Sequence, residues 1–288
     1  MPNRSEVSPG SASPGNKFNL STAELKEMAK KLRRHVITMT ATAGSGHPGG
    51  SLSAVDIIAA LYFKVLRHNP ENPQWVDRDR FILSKGHAAP ILYAALAETG
   101  YFPVAELATL RRLDSRLQGH ADRKFTPGVE MSAGSLGMGL SFAIGVALAA
   151  RLDSKSYRTY VLLSDGECEE GQTWEAALSA AHFKIDNLTA IVDCNGMQLS
   201  GRTRDIMNLE PFTQKWKAFG WHTIDIDGHD FDQVLSACQG AGKIKGKPTV
   251  IVARTIKGKG VSFMENNAAF HGKAPTQEEA ERALKELG

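Results

Sequence analysis

The chain has 288 residues, 42% hydrophobic and 23% charged, which is the composition of an ordinary soluble globular protein. Its 34 basic and 31 acidic residues leave a net charge of only +3, so nothing in the charge balance indicates nucleic acid binding. Three cysteines without Cys-x-x-Cys spacing argue against a disulfide framework or a zinc site and favour the reducing cytoplasm, and no apolar stretch approaches the length of a membrane span.

The N-terminal segment is rich in Ser, Pro and Gly and lacks the apolar centre of a signal peptide, so residues 1–18 are predicted to form a disordered tail. Ser21 and Glu24 then form a capping-box pattern, which predicts the start of a helix. Apolar residues at helical spacing extend that helix to about Thr42. A second, apolar helix is predicted at about residues 52–66.

The rest of the chain alternates predicted strands with predicted helices. The strands are rich in Val, Ile and Leu and cover residues 81–83, 159–163, 189–193, 222–226 and 249–254. Helices are predicted after the first strand and at about residues 135–152, 174–183, 211–219, 231–238 and 276–287. This alternation predicts an α/β fold with a mostly parallel central sheet and helices on both faces. No repeat or linker interrupts residues 19–288, which are therefore assigned to one domain.

Sheets of this kind bind ligands at the carboxyl ends of their strands. The segments that follow the predicted strands are therefore candidate site positions: residues 84–87, 165–166, 193–195, 227–229 and 255–260. Several of these residues are polar, which a purely structural loop would not require.

The strongest chemical signal is the pair Asp165-Gly166 and Cys194-Asn195, which are separated by 27 residues and follow successive predicted strands. Neighbouring parallel strands lie roughly 4.8 Å apart, so the carboxylate of Asp165 and the amide of Asn195 can converge on one hard cation. Mg²⁺ usually takes only one or two protein ligands and completes its shell with phosphate oxygens and water. Asp165-Gly166 or Asn195-Gly196 alone would indicate only a turn, whereas the pair at this spacing favours a metal-bridged diphosphate.

This pattern resembles the thiamine diphosphate-binding motif, with Ser164 in place of the usual first glycine and Cys194 in place of the usual first asparagine. The resemblance implies thiamine diphosphate with Mg²⁺ (or Ca²⁺ or Mn²⁺), bound through the side chains of Asp165 and Asn195 and the carbonyl of Met197. It also implies a set of cofactor contacts: His87, Gly134, Ser135, Leu136, Gly166, Glu167, Leu199 and His271.

Four histidines with neighbouring glycines lie in segments that resemble transketolases. They are His47 in Ser45-Gly46-His47-Pro48-Gly49, His87 at the end of residues 79–87, His120 after Gly119, and His271 in Phe270-His271-Gly272. Gly134-Ser135-Leu136-Gly137 resembles a further motif of the family, with Ser135 in place of proline. The resemblance implies that these histidines are catalytic, and imidazoles suit a hydroxyl-rich sugar because they donate, accept or carry protons near neutral pH. The other five histidines receive no role.

The resemblance covers about residues 20–275 and implies the N-terminal subunit of a split transketolase of the pentose phosphate pathway. Such an enzyme transfers a two-carbon ketol unit from a ketose phosphate to an aldose phosphate. In the family, a second domain supplies the glutamate that activates the cofactor, the pocket for its pyrimidine ring and the arginines for the sugar phosphate. That domain is not expected within these 288 residues, and Glu167, Glu169 and Glu170 lie beside the diphosphate turn, so they are not expected to replace that glutamate.

We therefore expect a separate C-terminal subunit, with two copies of each chain, in the cytoplasm, and neither nucleic acid nor membrane as a partner. The capped last helix and the terminal Gly288 are expected to be a natural end. The alternatives are one subunit of a 2-oxoacid dehydrogenase or deoxyxylulose phosphate synthase-like enzyme, and a non-catalytic regulatory homologue. A nicotinamide dehydrogenase is disfavoured because the Gly44-x-Gly46-x-x-Gly49 pattern follows a helix rather than a strand.

Overall fold

The computed structural model describes residues 18–288. The expected tail lies outside the described residues except for Phe18, whose ring stacks on His68 at 5.5 Å and meets Phe63 edge-on at 5.6 Å. In this part of the chain the strands are β1 Arg80–Leu83, β2 Thr159–Ser164, β3 Leu188–Cys194, β4 Met197–Gln198, β5 Gly201–Arg202, β6 His222–Asp227 and β7 Thr249–Arg254. The α-helices are α1 Thr22–Ala43, α2 Pro48–Ser53, α3 Val55–Ala60, α4 Ala89–Thr99, α5 Met138–Leu152, α6 Gly171–His182, α7 Thr203–Ile206, α8 Phe212–Ala218, α9 Phe231–Lys243 and α10 Gln277–Glu286.

Five of these strands form one sheet in the order β1-β2-β3-β7-β6, with every neighbouring pair parallel. Successive residues of a strand point to opposite faces, and both faces are buried. On one face Tyr160 and Leu162 pack with α1, α3, α4, α9 and α10; on the other, Val161 and Leu163 pack with α5, α6 and α8. The predicted α/β fold with a parallel sheet covered on both faces is confirmed.

Two predicted helices differ in detail from the structure. The helix predicted at residues 135–152 begins at Met138, because Gly137 has a φ of 81° and cannot belong to a right-handed helix. Gly134 to Gly137 therefore form a loop before the N-terminus of α5. The helix predicted at residues 52–66 is divided into α2, α3 and a π-helical turn, Leu61–Val65. No helix within residues 18–288 is both long and apolar enough to cross a membrane.

A buried ion-pair cluster anchors the segment that follows β7. Arg33 on α1 pairs with Asp56 on α3 through two hydrogen bonds of 3.1 and 2.6 Å, and it also donates to the carbonyl of Lys259 at 3.1 Å. His229, after β6, lies 2.8 Å from the same carboxylate through Nδ1 and accepts from the backbone N–H of Ile256 through Nε2. Because Nε2 accepts, Nδ1 carries the proton and donates to Asp56. His229, which received no role from the sequence, is thus a structural residue that holds the loop after β7.

Candidate active site

The polar segments that follow the strands line a cavity of about 380 Å³. It contains most of the predicted site residues: His47, His87, His120, Gly134, Leu136, Gly166, Glu167, Asn195, Met197, Leu199 and His271. Asp165 lines an adjoining cavity of about 530 Å³ together with Asn195 and Met197. Ser135 lines neither cavity, and Leu199 is 68% exposed. The sequence therefore predicts residues from seven separate segments that the fold brings together.

Four imidazoles form one cluster around His47. The ring of His47 lies 5.7 Å from that of His87, 5.9 Å from His120 and 5.6 Å from His271, measured between centroids. His87 stacks on His271 at 5.3 Å. The fold places them by short elements: His47 precedes α2, His87 lies in a 3₁₀ turn directly after β1, and His271 ends another 3₁₀ turn, Ala268–His271.

The cluster is uncharged at neutral pH. Burial, followed by the positive charge of Arg111, lowers the pKa of His47 to about 4. Burial and then Lys257 lower the pKa of His271 to about 3. The pKa values of His87 and His120 are lowered from their ordinary value, again chiefly by burial. Each ring therefore carries one N–H donor and one nitrogen acceptor, rather than a positive charge.

The segments after β2 and β3 carry three residues with oxygen donors, Asp165, Asn195 and Met197, which together are called the all-oxygen corner. The carboxylate of Asp165 is 2% exposed and accepts hydrogen bonds from the backbone N–H of Gly196 at 2.6 Å and of Gly166 at 2.9 Å. The side-chain oxygen of Asn195 accepts from the backbone N–H of Met197 at 3.1 Å. Burial and the neighbouring Asp193 raise the pKa of Asp165 to about 6, a direction that a cation bound at the corner would reverse.

This donor set fits a hard divalent cation that is shared with a phosphate ligand. Within residues 18–288 no group of three His, Cys, Asp or Glu side chains could hold a metal alone. One carboxylate, one amide and one carbonyl oxygen would supply half of the octahedral shell of Mg²⁺, and a diphosphate and water would have to supply the rest. Gly166 permits close approach here, since a Cβ at this position would lie only 3.2 Å from Cβ of Gln198.

Lys257 is a site residue that sequence reasoning missed. Its side chain is 1% exposed, and its Nζ lies 2.8 Å from Nδ1 of His271 and 3.3 Å from the carbonyl oxygen of Met197. No carboxylate in the described chain lies within ion-pair distance of this ammonium. Burial and the charge of Lys85 lower its pKa to about 8. A buried cation without a carboxylate in direct contact is costly, and it makes this end of the cavity attractive to a phosphate. The one available signal was its place in residues 255–260, directly after β7.

A second buried lysine joins the strand ends beneath the site. Lys85 pairs with Asp193 and donates to the carbonyl of Gly50 at 2.9 Å. Asp193 also accepts from Ser53 at 2.6 Å and from Thr255. Burial raises the pKa of Asp193, but Lys85 and these donors outweigh it, so the pKa is lowered overall. This network fixes α2 and the ends of β1, β3 and β7 relative to one another, a role for Asp193 that sequence reasoning did not predict.

Glu167, a predicted cofactor contact, is fully buried and its carboxylate is already occupied by protein donors. These are the hydroxyl of Ser84 and the backbone N–H groups of Gly137 at 2.9 Å and Ser164 at 3.2 Å. Burial raises its pKa in spite of these bonds. The carboxylate therefore holds the loop before α5 against the ends of β1 and β2, which shapes the cavity wall.

Comparison with known proteins agrees with this geometry. Residues 25–288 match the family model described as transketolase, thiamine diphosphate binding domain. The chain is 46% identical over 264 residues to the 6-deoxy-6-sulfo-D-fructose transketolase subunit SqwG of Clostridium sp. (strain MSTE9), covering 92% of this chain and 96% of the relative. It is 44% identical over 273 residues to a protein of Actinobacillus succinogenes named as one subunit of apulose-4-phosphate transketolase, covering 94% and 99%.

Larger transketolases match over only part of their length. The human enzyme is 42% identical over 266 residues, which cover 91% of this chain and 42% of the human chain. The crystal structure of transketolase from Campylobacter jejuni superposes with a TM-score of 0.88 at 33% identity and covers 93% of this chain but 43% of that one. The chain thus spans about two-fifths of such enzymes and nearly all of the relatives named as subunits. It belongs to the transketolase family, as a chain that carries the thiamine diphosphate-binding domain.

Proposed function

We propose that this chain is the N-terminal subunit of a split transketolase, which transfers a two-carbon ketol unit from a ketose phosphate to an aldose phosphate in the pentose phosphate pathway. The observation that carries the proposal is the joining of an all-oxygen corner and a four-histidine cluster along one set of adjoining cavities. The first suits a metal-bridged diphosphate and the second suits a polyhydroxylated substrate.

At the diphosphate end, the side chains of Asp165 and Asn195 and the carbonyl of Met197 hold Mg²⁺, with Ca²⁺ or Mn²⁺ as substitutes. Gly166 and the loop of Gly134, Ser135 and Leu136 lie against the diphosphate. The backbone N–H groups of that loop precede α5, where a helix N-terminus favours an anion. When bound, thiamine diphosphate supplies the nucleophilic carbon and the electron sink of the reaction.

At the sugar end, His47, His87, His120 and His271 bind hydroxyl groups and the reacting carbonyl oxygen through neutral imidazoles. Their lowered pKa values keep them uncharged, so each has one N–H that can donate to the substrate. The nitrogen without a proton faces Arg111 in His47 and Lys257 in His271. His87 and His271, which stack on each other at 5.3 Å, also contact the cofactor. Leu199 at the cavity wall packs against it.

The missing half of the site is proposed to come from a second chain. That C-terminal subunit supplies the pyrimidine-binding domain and the activating glutamate, and the complex contains two copies of each chain. The support is that the relatives matched over their whole length are named as subunits, whereas single-chain transketolases are more than twice as long. The three cysteines are free and two are buried, which supports a cytoplasmic location.

The proposal is tested by combining the chain with the C-terminal transketolase chain of the same genome in the presence of Mg²⁺ and thiamine diphosphate. A coupled assay then follows ketol transfer between a ketose phosphate and an aldose phosphate. We expect turnover by the complex and none by either chain alone. Robust transfer by this chain alone, or a cofactor-loaded complex without any transfer, would contradict the proposal.

A further inference from the structure

Arg111 reaches the histidine cluster although no carboxylate pairs with it. Its Nη1 donates to Oγ of Ser45 at 2.8 Å, and its Nη2 lies 3.4 Å from both Nδ1 of His47 and the carbonyl oxygen of Gly119. Among residues 18–288 no Asp or Glu lies within ion-pair distance of the guanidinium. The guanidinium of this exposed arginine thus contacts an imidazole, where an ion pair with a carboxylate would be usual.

The local backbone is adapted to this position of the side chain. Arg111 has a φ of 58°, a left-handed conformation that is unfavourable for a residue with a Cβ. A Cβ on Gly119 would lie 2.9 Å from Nε, 3.0 Å from Cζ and 3.1 Å from Nη2 of Arg111. The left-handed backbone of Arg111 and the lack of a side chain at Gly119 both allow the guanidinium to reach His47. Strain of this kind concentrates at functional sites.

An arginine donates hydrogen bonds and never accepts them. The nitrogen of His47 that faces Arg111 must therefore offer a lone pair, and the proton of the neutral ring must be on Nε2. Nε2 has no hydrogen-bond partner in the described part of the chain and lies on the side of Gly272, where a Cβ would be 3.5 Å away. We propose that Arg111 is a positioning residue that holds His47 in the Nε2–H tautomer, so that it presents a donor to the sugar.

The surroundings of His47 agree with a neutral ring of fixed tautomer. The titratable or charged groups that face it are His87, His120, His271, Lys257 and Arg111, and every one of them is neutral or positive. These neighbours therefore disfavour the protonated form of His47. The neutral ring has two tautomers, which differ in the nitrogen that carries the proton.

His271 shows the same arrangement. The ammonium of Lys257 donates to its Nδ1 at 2.8 Å, which leaves the proton of the neutral ring on Nε2. The proposal for Arg111 depends on the proposed function only for the identity of the ligand that receives the hydrogen bond from His47; the tautomer itself does not depend on it.

The tautomer is measured by NMR on the full chain labelled with ¹⁵N-histidine at pH 7, with the signal of His47 identified by its loss in His47→Asn. We expect Nε2–H in the wild type and in Arg112→Met, which removes an exposed arginine with no side-chain partner in the described chain. Arg111→Met, and Gly119→Ala, which displaces the guanidinium without removing its charge, should both shift His47 towards Nδ1–H. A proton on Nδ1 in the wild type, or an unchanged ring in both site variants, would overturn the proposal.

The consequence is measured in the complex with the C-terminal subunit. Loss of one orienting hydrogen bond should lower kcat/KM by roughly 2- to 10-fold in Arg111→Met, while Arg112→Met stays at the wild-type value. A changed tautomer with an unchanged kcat/KM would overturn the positioning role. If no variant and no wild-type complex transfers ketol units, the proposed function fails, and the NMR result for the tautomer still stands.

Discussion

Replacing Asp56 by Asn should destabilise the protein strongly, because this carboxylate is the centre of the cluster that anchors the loop after β7. Asp56 is 5% exposed and accepts two hydrogen bonds from Arg33 and one from His229, so removing its charge leaves the buried guanidinium of Arg33 without an anion. Removing one partner of a buried ion pair typically costs about 3–5 kcal/mol. The amide still accepts one hydrogen bond, so we expect a loss of about 3 kcal/mol, at the lower end of that range.

The assay is urea denaturation followed by circular dichroism, with Asp77→Asn as the matched control. Asp77 pairs with Lys155 at 2.8 Å on the surface, where the two side chains are 44% and 36% exposed. Such a surface pair contributes about 0–1 kcal/mol, so the control should unfold nearly as the wild type does. A loss of less than about 1 kcal/mol in Asp56→Asn, equal to that of the control, would refute the reasoning.

The effect should also depend on pH. Burial raises the pKa of Asp56, but the hydrogen bond from His229 and the charge of Arg33 outweigh it, so the pKa is lowered overall. A lowered pKa stabilises the folded state above the unfolded value of about 3.9, and this contribution is lost as the pH falls through the folded pKa. The difference between wild type and Asp56→Asn should therefore shrink below about pH 4. A difference that stays constant down to about pH 3 would contradict the assignment of the charge.

Two further predictions concern Lys257 in the cavity wall and the contact of Gly49 with the segment that carries His271. Lys257→Met removes a buried ammonium that has no carboxylate partner in the described chain. It should weaken binding of Mg²⁺–thiamine diphosphate to the complex by roughly 10- to 100-fold, measured by fluorescence titration. Unchanged affinity would count against an anion site at this end of the cavity. Gly49→Ala would bring a Cβ within 2.8 Å of the carbonyl oxygen of Phe270, which should cost about 1–3 kcal/mol in chemical denaturation. Gly171→Ala, at an open position, should change stability by about 0.5 kcal/mol or less, and equal losses in the two variants would argue against the close contact.

Most of the sheet could be predicted from the sequence because four of its five strands are buried on both faces. Runs such as Val161-Leu162-Leu163 have no polar face that competes with a parallel strand, so their type follows from composition. The rule that ligands bind at the carboxyl ends of the strands then placed Asp165, Asn195 and His87 before any resemblance was considered. Helix boundaries could not be predicted where one glycine decides them, as Gly137 does at the start of α5.

The residues that the sequence did not single out have roles that only the tertiary structure creates. Lys257 and Arg111 look like ordinary surface cations in the sequence. The fold buries the first beside His271 and brings the second, 64 residues away along the chain, to His47. Likewise, His229 follows a strand in a way that suggests a ligand contact, yet both of its ring nitrogens are used by the protein itself.

The oxygen corner that Asp165 provides is the central element of the proposed site. Calorimetry of the complex with thiamine diphosphate, with and without Mg²⁺, should show metal-dependent binding in the wild type. Asp165→Asn keeps the size of the side chain and removes its charge, so metal-dependent affinity should fall by about 100-fold or more. Mutation of residues that only hydrogen-bond to metal ligands already lowers metal affinity by about 10- to 100-fold. Equal, metal-dependent affinity of the variant and the wild type would contradict the assignment of the metal and diphosphate to this corner.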